Sequence, residues 1–141
     1  EKGLYWFSKA AEKGDPKSQY SLGCLYLCEN CGMPYIKKAI YWLTNSAENG
    51  YAPAQDYLSD LYRQGKVVEP DEDLALYWAS KAANQGYVDA YFSLGMIYHD
   101  LFGTKQNFKK AYYWFMQGAN HDDDSSQCML GIMYQYGQGI L

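Results

Sequence analysis

Set beneath itself at an offset of 36 residues, this sequence falls into register without a gap. Trp6, Trp42, Trp78 and Trp114 share one column, each preceded by a tyrosine: Tyr5, Tyr41, Tyr77 or Tyr113. Ala11, Ala47, Ala83 and Ala119 form a second column, and Leu22, Leu58, Leu94 and Leu130 a third. Tyr26, Tyr62, Tyr98 and Tyr134 make a fourth, and each Leu is followed by Gly23, Ser59, Gly95 or Gly131. Gly14, Gly50 and Gly86 recur three residues after the Ala column, a series that Asp122 breaks. Unrelated columns that hold register with no insertion are the signature of a stacked repeat array.

Within one unit the spacing is helical. Leu22, Gly23 and Tyr26 lie at i, i+1 and i+4, on one helix face; Ala39, Trp42, Ser46 and Ala47 lie at i, i+3, i+7 and i+8, again on one face. Only 3 Val, 5 Ile and 2 Thr are present, a β-branched supply too thin for a sheet. The pattern predicts eight helices over 2–13, 16–29, 35–49, 52–64, 71–85, 88–101, 107–120 and 124–136. Gly14, Gly50 and Gly86 stand where a helix ends on a left-handed residue. Asp71 and Asn107 stand where helices begin and can cap free N–H groups. Pro34 and Pro70 lie beside such starts and mark breaks between helices. The 16 Tyr and 4 Trp are read as filler of a repeated helical core rather than as a stacking box for a ligand.

A chain of 141 residues is expected to make one domain. Its frame runs from the second helix of a partial repeat (1–14) through repeats at 15–50, 51–86 and 87–122 to the first helix of another (123–141). That frame leaves apolar surface at both ends. The formal charge is −4, which argues against nucleic-acid binding, since phosphate contacts need clustered Lys and Arg. No stretch approaches the roughly 20 apolar residues that span a bilayer. The sequence opens on Glu-Lys-Gly with no basic and apolar leader, so it is expected to be an excised or processed piece.

The unit pattern Ala-x-x-x-Leu-Gly-x-x-Tyr, then Gly-x-Gly-(Val/Ile), then Ala-x-x-Trp-x-x-x-Ala-Ala-x-x-Gly resembles the Sel-one-like repeat family, relatives of the tetratricopeptide repeats. Residues 54–62 and 75–86 carry the closest copies, and Gly137-Gln138-Gly139-Ile140 matches the loop between helices. The loop pattern is lost at 29–32 and at 101–104. The resemblance covers essentially the whole chain. It implies an all-α, right-handed solenoid that binds other proteins and has no catalytic residues of its own.

The residues that could carry chemistry each have a plainer reading. Cys24, Cys28 and Cys31 sit within eight residues. A zinc site would need a fourth ligand, and no His lies in that unit. A redox Cys-x-x-Cys needs a thioredoxin-like βαβ frame, which is missing. Some cysteine-rich members of the family carry a disulfide in each repeat, but these Cys do not recur at the offset, so free thiols are the preferred reading. His99 and His121 have no Ser, Cys or Asp at a spacing that suggests a catalytic pair. Asp122, Asp123 and Asp124 are read as helix capping rather than calcium ligands, which need a longer loop. No metal, cofactor or catalytic residue is expected.

In a solenoid of this kind the first helix of each unit lines the concave surface. The positions free of the Leu, Gly and Tyr columns are Lys17, Tyr20, Cys24, Leu27 and Cys28; Pro53, Asp56, Asp60, Arg63 and Gln64; Asp89, Phe92, Met96, His99 and Asp100; and Ser125, Cys128, Ile132, Gln135 and Tyr136. These differ from unit to unit where the core columns repeat, as a specific binding face should. They predict a protein or peptide partner with apolar anchors and some positive charge. The Lys and Asn clamp with which some tetratricopeptide domains hold a terminal carboxylate is missing. An immunity or inhibitor protein that blocks a toxin enzyme is the alternative reading, and a Cys-dependent enzyme a distant one. A partner held by the loops or the convex side is the rival to the concave face.

Overall fold

The computed structural model describes residues 2–29, 32–100 and 107–139. Among them every regular element is an α-helix: α1 Lys2–Glu12, α2 Pro16–Glu29, α3 Met33–Glu48, α4 Ala52–Gln64, α5 Glu72–Asn84, α6 Val88–His99, α7 Phe108–Ala119 and α8 Asp124–Tyr136. These are the eight helices expected, packed as sequential pairs, and the bounds agree to within two residues. The start of α3 moves forward because Gly32 is extended (φ −81°, ψ 150°) and Pro34 sits within the first turn, where its missing N–H costs nothing. The two loops that lose the repeat pattern fall largely on 30–31 and 101–106, outside the described residues.

The helix ends follow local rules. Asp71 accepts from Leu74 N–H at 2.9 Å and Asn107 from Lys110 N–H at 3.0 Å. Gly14, Gly50 and Gly86 are left-handed, with φ of 91°, 84° and 79°. Asp122 is left-handed too, at φ 61°. The conformation therefore persists where the glycine is lost, in one of the few side-chain types that tolerate it. The acidic run is divided among distinct tasks. Asp122 turns the chain out of α7, Asp123 caps α8 by accepting from Ser126 N–H at 2.7 Å, and Asp124 opens that helix.

The chain resolves into two compact units, Glu1–Leu58 and Ser59–Leu141, divided within α4. In the first unit α2 packs against α1 and α3. A Cβ on Gly23 would lie 2.6 Å from Leu43 Cγ and 3.2 Å from the Ala39 carbonyl oxygen, so α2 and α3 approach only because that side chain is missing. Polar side chains tie helix ends together: Gln19 donates to Ala11 O at 3.1 Å, and Gln55 makes the same bond to Ala47 O at 2.9 Å one repeat later.

The second unit packs α5 on α6, α6 on α7 and α7 on α8. Ser59, which stands in the glycine column, donates its hydroxyl to Ala75 O at 2.7 Å, so the one larger residue in that column is satisfied rather than strained. Ala111, Phe115, Leu130 and Met133 form a dry core, and a Cβ on Gly95 would run into the Phe115 ring.

Ser126 is fully buried, and its hydroxyl has no hydrogen-bond partner among the described residues. The equivalent positions in the preceding repeats are Ser18, Ala54 and Ala90. Ser126→Ala is therefore expected to stabilise the protein by about 1 kcal/mol, measured as a rise in the urea midpoint, because an unpaired buried hydroxyl is removed. A lowered midpoint would mean that the hydroxyl is bonded after all.

The aromatic columns, expected to fill the core, do so only in part. Trp78 is 6% exposed, Trp42 and Trp114 are half-buried, and Trp6 is 66% exposed. Tyr5, Tyr41, Tyr77 and Tyr113 are all exposed and stand edge-on to the indole that follows. One residue along a helix turns a side chain by about 100°, which carries these tyrosines out of the core. Trp42 lies against α1 and α2, and Trp114 lies against Tyr91 of α6. The sealed columns are those of Leu and the small residues: Leu22, Leu58 and Leu94 are closed to solvent and Leu130 nearly so.

Candidate protein-binding site

The residues expected on the first-helix face divide between the two units. In the first, Lys17 and Cys28 are exposed on α2, while Tyr20, Cys24 and Leu27 are half-buried there; Pro53 and Asp56 are half-buried at the start of α4. The Tyr20 ring packs edge-on against Tyr51 and Tyr57, with centroids at 5.5 and 6.1 Å. Burial pushes the Cys24 thiol above its ordinary pKa, a bond with Tyr20 pulls the other way, and the neighbouring Cys28 adds to the rise. The thiolate is thereby suppressed, the opposite of what a nucleophilic cysteine needs. Iodoacetamide is expected to label the exposed Cys28 and Cys128 faster than Cys24, read by mass spectrometry of timed digests. Equal rates would contradict that shielding. Cys24, Cys28 and Cys128 are free thiols, and Cys31 lies outside the described residues.

In the second unit Asp60, Arg63, His99 and Asp100 are gathered into one network. The Arg63 guanidinium is 2.7 Å from Asp60 Oδ1 and 2.7 Å from Asp100 Oδ2. Gln64 donates to the other Asp60 oxygen at 2.6 Å, His99 Nδ1 lies 3.7 Å from Asp100, and His99 Nε2 is 3.0 Å from Gln138 Oε1. Arg63 thus links α4 to the C-terminal end of α6 across 37 residues of sequence. The His99 ring also rests on Phe108 at 5.5 Å and Phe115 at 6.4 Å. Phe92 and Met96 are half-buried against the core of Phe115, Leu130 and Met133. Asp89, Ser125, Cys128, Gln135 and Tyr136 are exposed and Ile132 is half-buried.

Sequence reasoning missed Gln138 and Phe108. Gln138 lies beyond the last helix and has no recurring counterpart at the offset, so no periodic signal marks it. Among the described residues no group of three His, Cys, Asp or Glu side chains is placed to hold a metal, and no helix is long and apolar enough to cross a membrane.

Sequential helix pairs recurring on a 36-residue period define a helical-repeat protein. The Sel1 repeat family model matches at residues 1–15, 16–51, 52–87, 88–123 and 124–141, and the chain belongs to that family. Sel1 repeat proteins are generally interaction scaffolds and typically non-catalytic.

Two crystal structures are similar to this chain throughout. One is a protective antigen present in uropathogenic Escherichia coli strains that displays an SLR fold, with 34% identity and a TM-score of 0.86 over 97% of this chain and 29% of that one. The other is a Sel1 repeat protein from Oxalobacter formigenes, with 29% identity and a TM-score of 0.86 over 98% of this chain and 55% of that one. The chain thus spans about three-tenths and just over half of their lengths. No curated protein matches it.

Proposed function

We propose that the chain is a non-catalytic binding module that holds a protein or peptide partner on the first-helix face of its repeats. The observation that carries this reading is the Asp60–Arg63–Asp100 network. A guanidinium held between two carboxylates is fixed in place before any partner arrives, so little side-chain freedom is lost on association. At the expected face positions of the second unit the three carboxylates of Asp60, Asp89 and Asp100 outnumber the one guanidinium of Arg63, which suits a partner that brings positive charge. Tyr136, 68% exposed at the end of α8, offers a large apolar anchor. Lys17, Tyr20, Cys24, Leu27 and Asp56 form the corresponding patch of the first unit, and Ile132 and Gln135 extend that of the second.

The test uses residues that the fold does not need. Asp89→Asn, Gln135→Ala and Tyr136→Ala, combined, change three exposed side chains and should leave the melting temperature nearly unchanged. A partner captured by the unaltered protein and then titrated against both forms is expected to bind the triple variant at least tenfold more weakly. Equal affinity for the two folded proteins would remove this face from the proposal.

A further inference from the structure

The first unit holds a pocket of about 380 Å³ between the C-terminal ends of α1 and α3 and the first turns of α2. Its walls include the half-buried indole of Trp42, the carboxylates of Glu12 and Glu48, the amides of Gln19 and Asn49, and exposed Tyr41. None of these residues belongs to the first-helix face discussed above.

The repeat supplies an internal comparison. Two repeats on, Gln19 is replaced by Tyr91, Asn49 by His121, and Trp42 by Trp114. There the Tyr91 ring lies almost parallel to the indole, with centroids 6.0 Å apart and planes 16° apart, and His121 packs on the same ring at 5.4 Å. A planar π group thus already covers that indole. Beside Trp42 the equivalent side chain is drawn away: the Gln19 amide donates to Ala11 O at 3.1 Å and accepts from Asn49 Nδ2 at 3.1 Å. The charge changes along with the filling. The residues equivalent to Glu12 and Glu48 in the later repeat are Asn84 and Asn120. Carboxylates therefore occur where the niche is open, and neutral amides where a ring fills it. Neither Glu12 nor Glu48 forms an ion pair among the described residues, and no Lys or Arg lines the pocket.

We infer that this pocket receives the guanidinium of an arginine side chain from a protein partner. Guanidinium is planar, as the Tyr91 ring is, and is favoured over the face of an indole. It is also the cation that meets carboxylates through paired, charge-assisted hydrogen bonds. The volume lies at the small end of the roughly 300–1,000 Å³ range of ligand pockets, right for one side chain rather than a large cofactor.

The experiment follows the indole N–H resonances of the full chain by NMR as ligand is added at millimolar concentrations. The probes are a capped Gly-Arg-Gly peptide, the same peptide with citrulline, which keeps the plane and removes the charge, and free arginine. Trp42 is assigned from Trp42→Phe. The arginine peptide is expected to shift the Trp42 signal, and the citrulline peptide to bind at least tenfold more weakly. Glu12→Gln with Glu48→Gln, both at exposed positions, should weaken arginine-peptide binding at least tenfold with melting unchanged. Gln19→Tyr with Asn49→His, which gives this niche the later repeat's residues, should abolish the shift. No shift with the arginine peptide, equal binding of citrulline, or full binding by the Glu→Gln variant would each overturn the site. Tighter binding of free arginine than of the capped peptide would overturn the assignment to a protein side chain.

Discussion

Phe115→Ala is expected to lower the unfolding free energy by about 3–5 kcal/mol, the largest effect of any single truncation in α7. The side chain is 0% exposed and lies among Ala111, Leu130 and Met133, with the Phe92 ring 5.9 Å away. Gly95 also abuts the ring and has no side chain to relax into the space the ring would leave. The site therefore collapses poorly, which places the cost toward the upper end of the range. Total stabilities are typically about 5–15 kcal/mol, so urea unfolding followed by helical circular dichroism will register it clearly. Gly95→Ala supplies the complementary test. Alone it should destabilise, because its Cβ meets the ring; in the Phe115→Ala background that penalty should largely vanish. Additive losses in the double variant would mean that the two residues do not touch.

The tryptophan column should give a graded series. Trp78→Ala is expected to cost about 3–5 kcal/mol, because a nearly dry indole is replaced by a cavity. Trp6→Ala, at 66% exposure, is expected to cost under about 1 kcal/mol, as surface changes usually do. Trp42→Ala should fall between the two. Four residues with one place in the repeat would thus differ several-fold in their contribution, measured by the same unfolding experiment. Equal losses at Trp6 and Trp78 would contradict the exposures described above.

That series marks where reading by columns stops. The period, the helices and the caps at Asp71 and Asn107 are visible in the sequence because they rest on neighbours within one turn of helix. The Leu and small-residue columns are legible for a related reason: each serves the same approach of two helices in every unit, as Gly23 against Leu43 and Gly95 against Phe115 show. The Trp column misleads, since identity in the repeat does not settle how many helices surround a given copy. Of the candidate site, the sequence marks out Asp60, Arg63, His99 and Asp100 as positions free of the core. It carries no sign that the four are linked to one another, or that Gln138 closes the network.

By itself, then, the amino-acid order determined an all-helical chain of 36-residue units, because i, i+4 spacing and helix capping are local and recur with the period. The tertiary structure alone decided which indoles are dry, that Arg63 reaches Asp100 from 37 residues away, and that the niche beside Trp42 is open while the one beside Trp114 is stacked shut. The physical reason is that such contacts depend on how closely neighbouring helices approach and which way a glutamine or tyrosine turns, and no single strand of sequence holds both partners of the contact.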